Sequence, residues 1–404
     1  MGRVWDGGGV SGNGNADLPV KLDSLDGTVI GVDLAAGLGT VLLPDGRYTT
    51  QKIGPPRTDL PIVQTCHVIG RPLLVATTDR GEHITLELPT VDEASPLDDR
   101  RVVYLDQQAW SKLALARHEP AKLPAPELDA ARWLIDLAEN GAVVLPFSGG
   151  RMTETAHWSN HEGRRNLGLT IATLSRGWQM LDTLAIRARE FEHVLAREPE
   201  RWPIPTVWTL APNAVFSERG AARTITDLPP DLALTTDATA AVLGLFSAVL
   251  GDSIPRTDSP GWAEKWSLLA NDLVASAPAK EQVARIVNHA IIVDAAKELA
   301  TAANVVALTP DAFGAWLADR PERHLARLPA VGLASEVMFL KIRNGGAKWT
   351  SNDLVDIFDL VQAAGYADAV VGERAFVYLI REAQRRLGRQ QTAFRTLAAL
   401  RADF

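Results

Sequence analysis

The stretch VVYLDQQ at residues 102–108 decides the fold that this sequence predicts. Its four consecutive apolar residues are typical of a strand covered on both faces, and the run ends abruptly at a carboxylate followed by two amides. The pattern therefore predicts a buried strand with Asp106 at its carboxyl end and Gln107 directly after it.

A second strand-and-helix unit follows along the chain. Residues 126–140 are expected to form a helix, with a proline at the start and Asn140-Gly141 as the stop signal. A second buried strand at residues 142–146 leads to Ser148, which is suited to cap a helix that carries Glu154. This order of elements predicts a parallel sheet with crossover helices, whose strand ends converge on one crevice.

The segment 351–376 holds five carboxylates: Asp353, Asp356, Asp359, Asp368 and Glu373. Thr350 or Ser351 is expected to cap a helix that runs to about Ala364 and is apolar nearly all round. Aspartates three residues apart share a face of such a helix, and burying them costs several kcal/mol unless a cation or a donor compensates.

A short strand is predicted at residues 368–372, after this helix. Glu373 follows the strand and is therefore expected at the same sheet edge as Asp106. Asp368 begins the strand, so at about 3.3 Å per residue it is expected roughly 16 Å from that edge.

Together these motifs resemble a PIN-like nuclease domain. The resemblance is carried by the strand end Leu105–Gln107, the strand Leu145–Ser148 leading to Glu154-Thr155, the helix Asn352–Asp356 and the strand Tyr366–Val371. It implies a three-layer α/β/α parallel sheet that gathers acidic residues around one or two Mg²⁺ or Mn²⁺ ions and hydrolyses a phosphodiester, most often in RNA.

The resemblance also implies roles for individual residues. Asp106 matches the first acid and Glu154 the second; the third is Asp356 or Asp353, and the fourth is Glu373 or Asp368. The candidate substrate-binding residues beside these acids are Gln107, His157, Arg164, Arg374 and Arg385.

Metal-assisted hydrolysis can also be argued from these residues alone, without the resemblance to a family. Mg²⁺ takes carboxylate and water oxygens as ligands, and two such ions can activate a water and stabilise the leaving oxygen, so no nucleophilic side chain is needed. The alternative is structural. Asp106 would cap the helix after its strand, and the negative charges of Asp353 and Glu154 would each stabilise the first turn of a helix. Both interpretations stay open at this point.

The sequence indicates four regions. A flexible N-terminus (1–15) precedes a small β-barrel or sandwich (16–98), whose suggested role is protein interaction or capping. An acidic, turn-rich segment, Pro89 to Pro96, reads as the linker to the α/β nuclease domain. That domain comprises residues 99–162 and 346–404, and an α-helical insertion (163–345) separates its two parts.

Composition restricts the classes of function. The net charge of −8 and pI of about 5.6 argue against a broadly basic surface, so nucleic acid would have to be gripped locally, with arginines near residues 164 and 381–401 as candidates. The single cysteine, Cys66, is expected to be a small buried residue, and the absence of a second cysteine fits a reducing compartment. With no apolar leader or membrane span in the sequence, a cytoplasmic protein is expected.

A zinc site is the weaker alternative. Glu154, His157 and His161 have a spacing that could present ligands from one helix, but the sequence has no His-Glu-x-x-His motif and no cysteine cluster. The sequence therefore favours a metal-dependent ribonuclease. A structure-specific DNA nuclease and a non-catalytic interaction scaffold with a nuclease-like core are the alternatives.

Overall fold

The computed structural model describes residues 10–12, 27–88, 97, 99–211, 214, 230–250, 260–344 and 349–404. The predicted linker (89–96) and most of the predicted flexible N-terminus lie outside these residues. Every helix in the described ranges is too short or too polar to cross a bilayer.

The N-terminal part forms one antiparallel sheet, which confirms the prediction of an all-β region. Its strands are Val10–Gly12 (β1), Val29–Asp33 (β2), Leu38–Leu42 (β3), Tyr48–Lys52 (β4), Ile62–Val68 (β5), Leu73–Thr78 (β6) and His83–Glu87 (β7). The order β1-β4-β3-β2-β5-β6-β7 leaves β1 and β7 at the two edges, so the described pairings make an open sheet. The strand β1 lies inside the segment that was expected to be flexible.

A second, parallel sheet lies at the centre of the α/β part, as the strand and helix order predicts. It consists of Arg101–Leu105 (β8), Val143–Val144 (β9), Ala369–Val371 (β12) and Ala393–Phe394 (β13), in the order β13-β12-β8-β9. Gln179–Met180 (β10) and Trp208–Thr209 (β11) form an antiparallel pair. A parallel bridge connects Gln179 of this pair to Phe147, three residues after β9.

The helices described in the structure, with any 3₁₀ turns left aside, are Gln107–His118 (α1), Ala125–Glu139 (α2), Gly149–Ala156 (α3), His161–Ser175 (α4), Thr183–Leu195 (α5), Pro230–Leu250 (α6), Pro260–Ser276 (α7), Lys280–Asp294 (α8), Ala296–Val305 (α9), Pro310–Ala318 (α10), Pro321–Leu325 (α11), Pro329–Arg343 (α12), Ser351–Asp356 (α13), Arg374–Arg386 (α14) and Leu397–Asp403 (α15). A π-helical segment, Ile357–Val361, continues α13.

Helices cover both faces of the parallel sheet. Val103 and Leu105 of β8 pack into one hydrophobic core with α1, α2 and α4, whereas Val102 and Tyr104 pack into a second core with α12 and α14. Alternate residues of one strand thus enter different cores, which is why the strand is apolar from Val102 to Leu105.

The N-terminal sheet packs directly on the α/β part. The Oγ1 atoms of Thr65 (β5) and Thr239 (α6) are 3.0 Å apart, and the buried Arg165 of α4 forms ion pairs with Asp79 and Glu82 at distances of 2.8 and 3.0 Å. The helix α4 belongs to the region that was predicted to be an insertion, yet it packs on both α1 and β7.

Two predicted helices are interrupted. The apolar stripe at residues 167, 171, 174, 178 and 181 predicts one helix, but α4 ends at Ser175, because Arg176 and Gly177 both adopt positive φ. The sequence also predicts one helix over residues 280–302, but the structure has two helices there, α8 and α9, which meet at Ala295. The residues of the apolar stripe are buried as a core pattern requires.

A buried carboxylate holds the helical region against the α/β part. Glu190 of α5 accepts hydrogen bonds from the N–H groups of Ala330 and Val331, at 2.7 and 2.8 Å, and from the Tyr366 hydroxyl at 2.5 Å. These N–H groups belong to the first turn of α12, which has no side-chain cap of its own. Glu190 therefore satisfies donors that the helix end leaves without partners.

We expect Glu190→Ala to lower the free energy of unfolding by about 3 kcal/mol, because it leaves two buried N–H groups and a hydroxyl without an acceptor. Urea denaturation measures the change. Glu192→Ala on the same helix is the control and is expected to change stability by less than about 0.5 kcal/mol. Equal losses in the two variants would contradict this role for Glu190.

Candidate functional site

Two carboxylates follow neighbouring strands at one edge of the parallel sheet. Leu105 of β8 is in register with Val371 of β12, and the N–H of Asp106 donates to the carbonyl of Val371 at 2.9 Å. Glu373 comes two residues after β12, where it precedes α14 with an exposed side chain. The structure thus places Asp106 and Glu373 at the same edge.

Asp106 is a helix cap as well as a member of this edge. Its Oδ1 accepts a hydrogen bond from the N–H of Ala109 at 2.8 Å, so it caps α1. The residue is buried, and burial raises the pKa of its carboxyl, with a further upward contribution from the charge of Glu373. The structural interpretation of Asp106, that it caps the helix after its strand, is therefore confirmed.

A buried arginine lies among the other acids. The Nη1 of Arg151 donates to Glu154 at 2.7 Å, its Nη2 lies 3.6 Å from Asp356 Oδ1, and its Nε lies 3.7 Å from Asp359 Oδ2. The Arg151 side chain is only 2% exposed. Its Nε and Nη2 have no hydrogen-bond partner, so these two donors interact with the aspartates through charge alone.

The backbone of α3 brings Arg151 and Glu154 to this edge. Ser148 follows β9 and caps α3 by accepting from the N–H of Arg151 at 3.3 Å, as its position in the sequence predicts. The Ser148 hydroxyl also donates to Asp359 Oδ2 at 2.8 Å and lies 2.8 Å from the hydroxyl of Tyr104. One serine therefore connects β8, α3 and the segment that carries Asp359.

The helix that carries the later aspartates changes its hydrogen-bond pattern between them. Asp356 is the last residue of α13, and Asp359 lies inside the π-helical segment that follows. Single-turn π segments occur often at functional sites, because they redirect side chains within an otherwise regular helix. Here both carboxylates lie within 4 Å of the Arg151 guanidinium.

Burial and mutual repulsion raise the pKa values of these acids. Burial raises the pKa of Asp356 to about 7; the charge of Arg151 opposes the shift, and the carboxylates of Glu154, Asp106 and Glu373 add to it. Burial also raises the pKa of Glu154, again opposed by Arg151. The same two effects act in the same directions on Asp359. The five carboxylates thus share one electrostatic environment with a single buried guanidinium.

Two predicted acids lie elsewhere. Asp353 forms a capping box with Thr350 and a buried ion pair with Lys341, whose Nζ is 2.8 Å away. Asp368 precedes β12 at the opposite end of the strand and accepts a hydrogen bond from the N–H of Val102 at 2.7 Å. Of the alternatives that the sequence left open, the structure therefore brings Asp356 and Glu373 to the cluster.

The predicted substrate-binding residues are distributed over several elements. Gln107 donates through Nε2 to Thr155 Oγ1 at 2.9 Å, and His157 directly follows α3. Arg164 is buried and donates to the carbonyl of Ala156 at 2.9 Å, which fits a structural role. Arg374 and Arg385 are exposed on α14.

The acids at this edge have the donor type that a hard divalent cation prefers, but the described side chains are not arranged to hold one. Carboxylate oxygens are the ligands that Mg²⁺ and Mn²⁺ prefer, and a dication would favour ionisation of acids whose pKa values are raised. Among the residues that the structure describes, no group of three or more His, Cys, Asp or Glu side chains is arranged to hold a metal ion. Arg151 provides the positive charge at this position.

We expect Gly150→Ala to disrupt the cluster, because a β-carbon at this position would lie 1.9 Å from Asp359 Oδ2 and 2.8 Å from its Cγ. Such overpacking lowers the free energy of unfolding by about 2 kcal/mol. Thermal or urea denaturation measures it. Gly314→Ala is the matched helical control, because nothing lies within 4 Å of its added carbon. That control is expected to gain about 0.5 kcal/mol, and an equal gain in Gly150→Ala would contradict the contact.

We expect Asp356→Asn to become more stabilising as pH rises from about 4 to 8. Below its ordinary pKa of 3.8, Asp356 is protonated in both the folded and the unfolded chain. Between 3.8 and about 7 only the unfolded chain loses the proton, so the parent loses stability relative to the variant. The expected difference at pH 8 is roughly 2–4 kcal/mol.

Urea denaturation of both proteins without divalent ions measures this difference across the pH range. Asp45→Asn is the control, because hydrogen bonds from Arg47 lower the pKa of the exposed Asp45. It is expected to gain nothing as pH rises. A stability difference between parent and Asp356→Asn that is the same at pH 4 and pH 8 would show that Asp356 is ionised throughout.

Comparison with known proteins assigns neither a family nor a function to this chain. No protein-family model, no curated protein and no solved structure matches the chain significantly. The function must therefore be inferred from the side chains at the sheet edge.

Proposed function

We propose that this protein is a metal-dependent nuclease that hydrolyses phosphodiester bonds in RNA. Two observations carry the proposal: Asp106 and Glu373 follow neighbouring parallel strands at one edge of the sheet, and Glu154 and Asp356 share the buried Arg151 guanidinium, whose charge also acts on Asp106. These residues come from distant parts of the chain. The combination of parallel sheet, strand-end acids and helical Glu also supports the resemblance to PIN-like nucleases.

In this proposal, Asp106, Glu154, Asp356 and Glu373 would hold Mg²⁺ or Mn²⁺ after Arg151 moves away from Asp356, since the described side chains are not arranged around an ion as they stand. When bound, such an ion lowers the pKa of a water and stabilises negative charge on the phosphate and the leaving oxygen. The protein residues have separate tasks. Arg151 orients Glu154 through their 2.7 Å hydrogen bond, and Ser148 holds Asp359 against the back of the cluster. Asp356 must lose its proton before it can act as a ligand.

A non-catalytic scaffold with a nuclease-like core is the second candidate. The observation that favours it is Arg151, whose guanidinium already lies within 4 Å of three carboxylates. An internal cation of this kind can stabilise an acidic cluster without a metal ion. In a scaffold, the cluster would serve the fold, and binding of a partner would replace hydrolysis.

The decisive experiment measures cleavage of labelled single-stranded RNA, and of a DNA of the same sequence, with Mg²⁺, Mn²⁺ or EDTA. We expect metal-dependent cleavage of RNA in preference to DNA. Asp106→Asn and Asp356→Asn are expected to lower the rate at least about 100-fold, because each removes a charge that would face the ion.

Asp368→Asn is the matched control, because its amide oxygen can still accept from the Val102 N–H and it lies at the far end of the strand. It is expected to retain activity. If both cluster variants are folded by circular dichroism and cleave RNA as fast as the parent, the nuclease proposal is wrong. Preferred cleavage of DNA would support the DNA nuclease alternative instead. Absence of cleavage together with absence of Mn²⁺ binding by calorimetry would favour the scaffold.

A further inference from the structure

The helix α14 begins at the acidic edge and exposes one strongly polar face. It starts directly after Glu373, and its exposed residues include Arg374, Tyr378, Arg381 and Arg385. The opposite face is buried through Phe376, Val377 and Ile380. Because the buried face anchors the helix, the direction of the exposed face is set by the fold.

These four exposed residues form one stripe. At about 100° per residue, positions 374, 378, 381 and 385 fall within an arc of about 60° on the helix surface. They extend about 16 Å along the helix, at 1.5 Å per residue, away from Glu373. We call this set, Arg374, Tyr378, Arg381 and Arg385, the α14 stripe.

The charge of the α14 stripe is positive after its local contacts are counted. Arg385 pairs with Glu382, one turn earlier in the helix, at 2.6 Å, and Arg381 donates from Nε to the neutral Gln391 side chain at 2.9 Å. Two other arginines, Arg386 and Arg389, serve the fold: Arg386 forms an ion pair with Glu336. Arg389 donates to the carbonyls of Ala326, Leu328 and Pro329. The stripe is therefore distinct from the structural arginines around it.

Tyr378 is the second feature that points to a ligand. Its side chain is 61% exposed, the largest value among the exposed large hydrophobic residues of the described chain. Alternation of arginines with an exposed aromatic ring is how proteins bind single-stranded nucleic acid, because the cations contact phosphates and the ring stacks on a base.

We propose that the α14 stripe is the track along which a single nucleic-acid strand reaches the acidic edge. The inference rests on the proposed nuclease function and adds the surface that holds the substrate beyond the scissile bond. The strongly acidic edge repels phosphates, so a cationic track beside it supplies the local grip that a chain of net charge −8 requires.

Equilibrium binding tests the α14 stripe separately from cleavage. The probe is a fluorescein-labelled 20-nucleotide oligo-U, with oligo-dT of the same length as a second arm, and anisotropy is measured in EDTA across a salt series. We expect Arg381→Ala/Arg385→Ala to weaken binding and to reduce the salt slope by about 1.4, since single strands contribute about 0.7 per phosphate contact. Tyr378→Ala is expected to weaken binding about tenfold without changing the slope.

The matched control is Arg47→Ala/Arg201→Ala. It removes two exposed arginines, each paired with a nearby carboxylate as Arg385 is, from other elements. It is expected to bind as the parent does. Equal effects of the two double variants would show a nonspecific loss of charge and overturn the track, as would a parent that binds neither oligonucleotide.

The two proposals fail in different ways. If the parent cleaves RNA but the α14 stripe variants bind and cleave as the parent does, the track is wrong and the nuclease stands. If the variants change the salt slope while the parent cleaves nothing, the track stands and the nuclease is wrong. Binding of oligo-U and oligo-dT with equal affinity supports a track that recognises the backbone and the base planes alone.

Discussion

The buried guanidinium of Arg151 is the constraint on which the acidic edge depends. Placing a charge in the interior costs several kcal/mol unless charged or polar partners compensate it, and here three carboxylates within 4 Å do so. The dependence is mutual, because the charge of Arg151 lowers the pKa values of those acids, which burial raises. The cluster therefore exists only when the segments that carry it are all in place.

The fold supplies these segments through one small network. Ser148 caps the helix that carries Arg151, donates to Asp359 and lies beside the Tyr104 hydroxyl of the central strand. Gly150 leaves the space that Asp359 occupies. Glu373 belongs to the cluster and directly precedes α14, so the acidic edge and the α14 stripe meet at the start of this helix. The geometry that neutralises the acids thus also positions the surface that we propose for an anionic strand.

The sequence predicted the strands and the acids at their ends, but it did not predict the buried arginine among those acids. The apolar run 102–105 identified a strand with two covered faces, and strand order placed Asp106 and Glu373 at one edge. Arg151 was missed, because an arginine in a first helical turn gives no signal of burial; only the small residues Gly149 and Gly150 before it hint at close packing. Thr350 with an acid three residues later is a capping signal, which could have separated Asp353 from Asp356.

Anomalous diffraction from crystals soaked in Mn²⁺ tests the central claim most directly, because it locates the ion without reference to activity. We expect one or two Mn²⁺ peaks bounded by the carboxylates of Asp106, Glu154, Asp356 and Glu373, with the Arg151 guanidinium displaced from Asp356. Crystals with no anomalous peak at this edge, and with Arg151 still among its three carboxylates, would contradict the account. The cluster would then be a structural ion network.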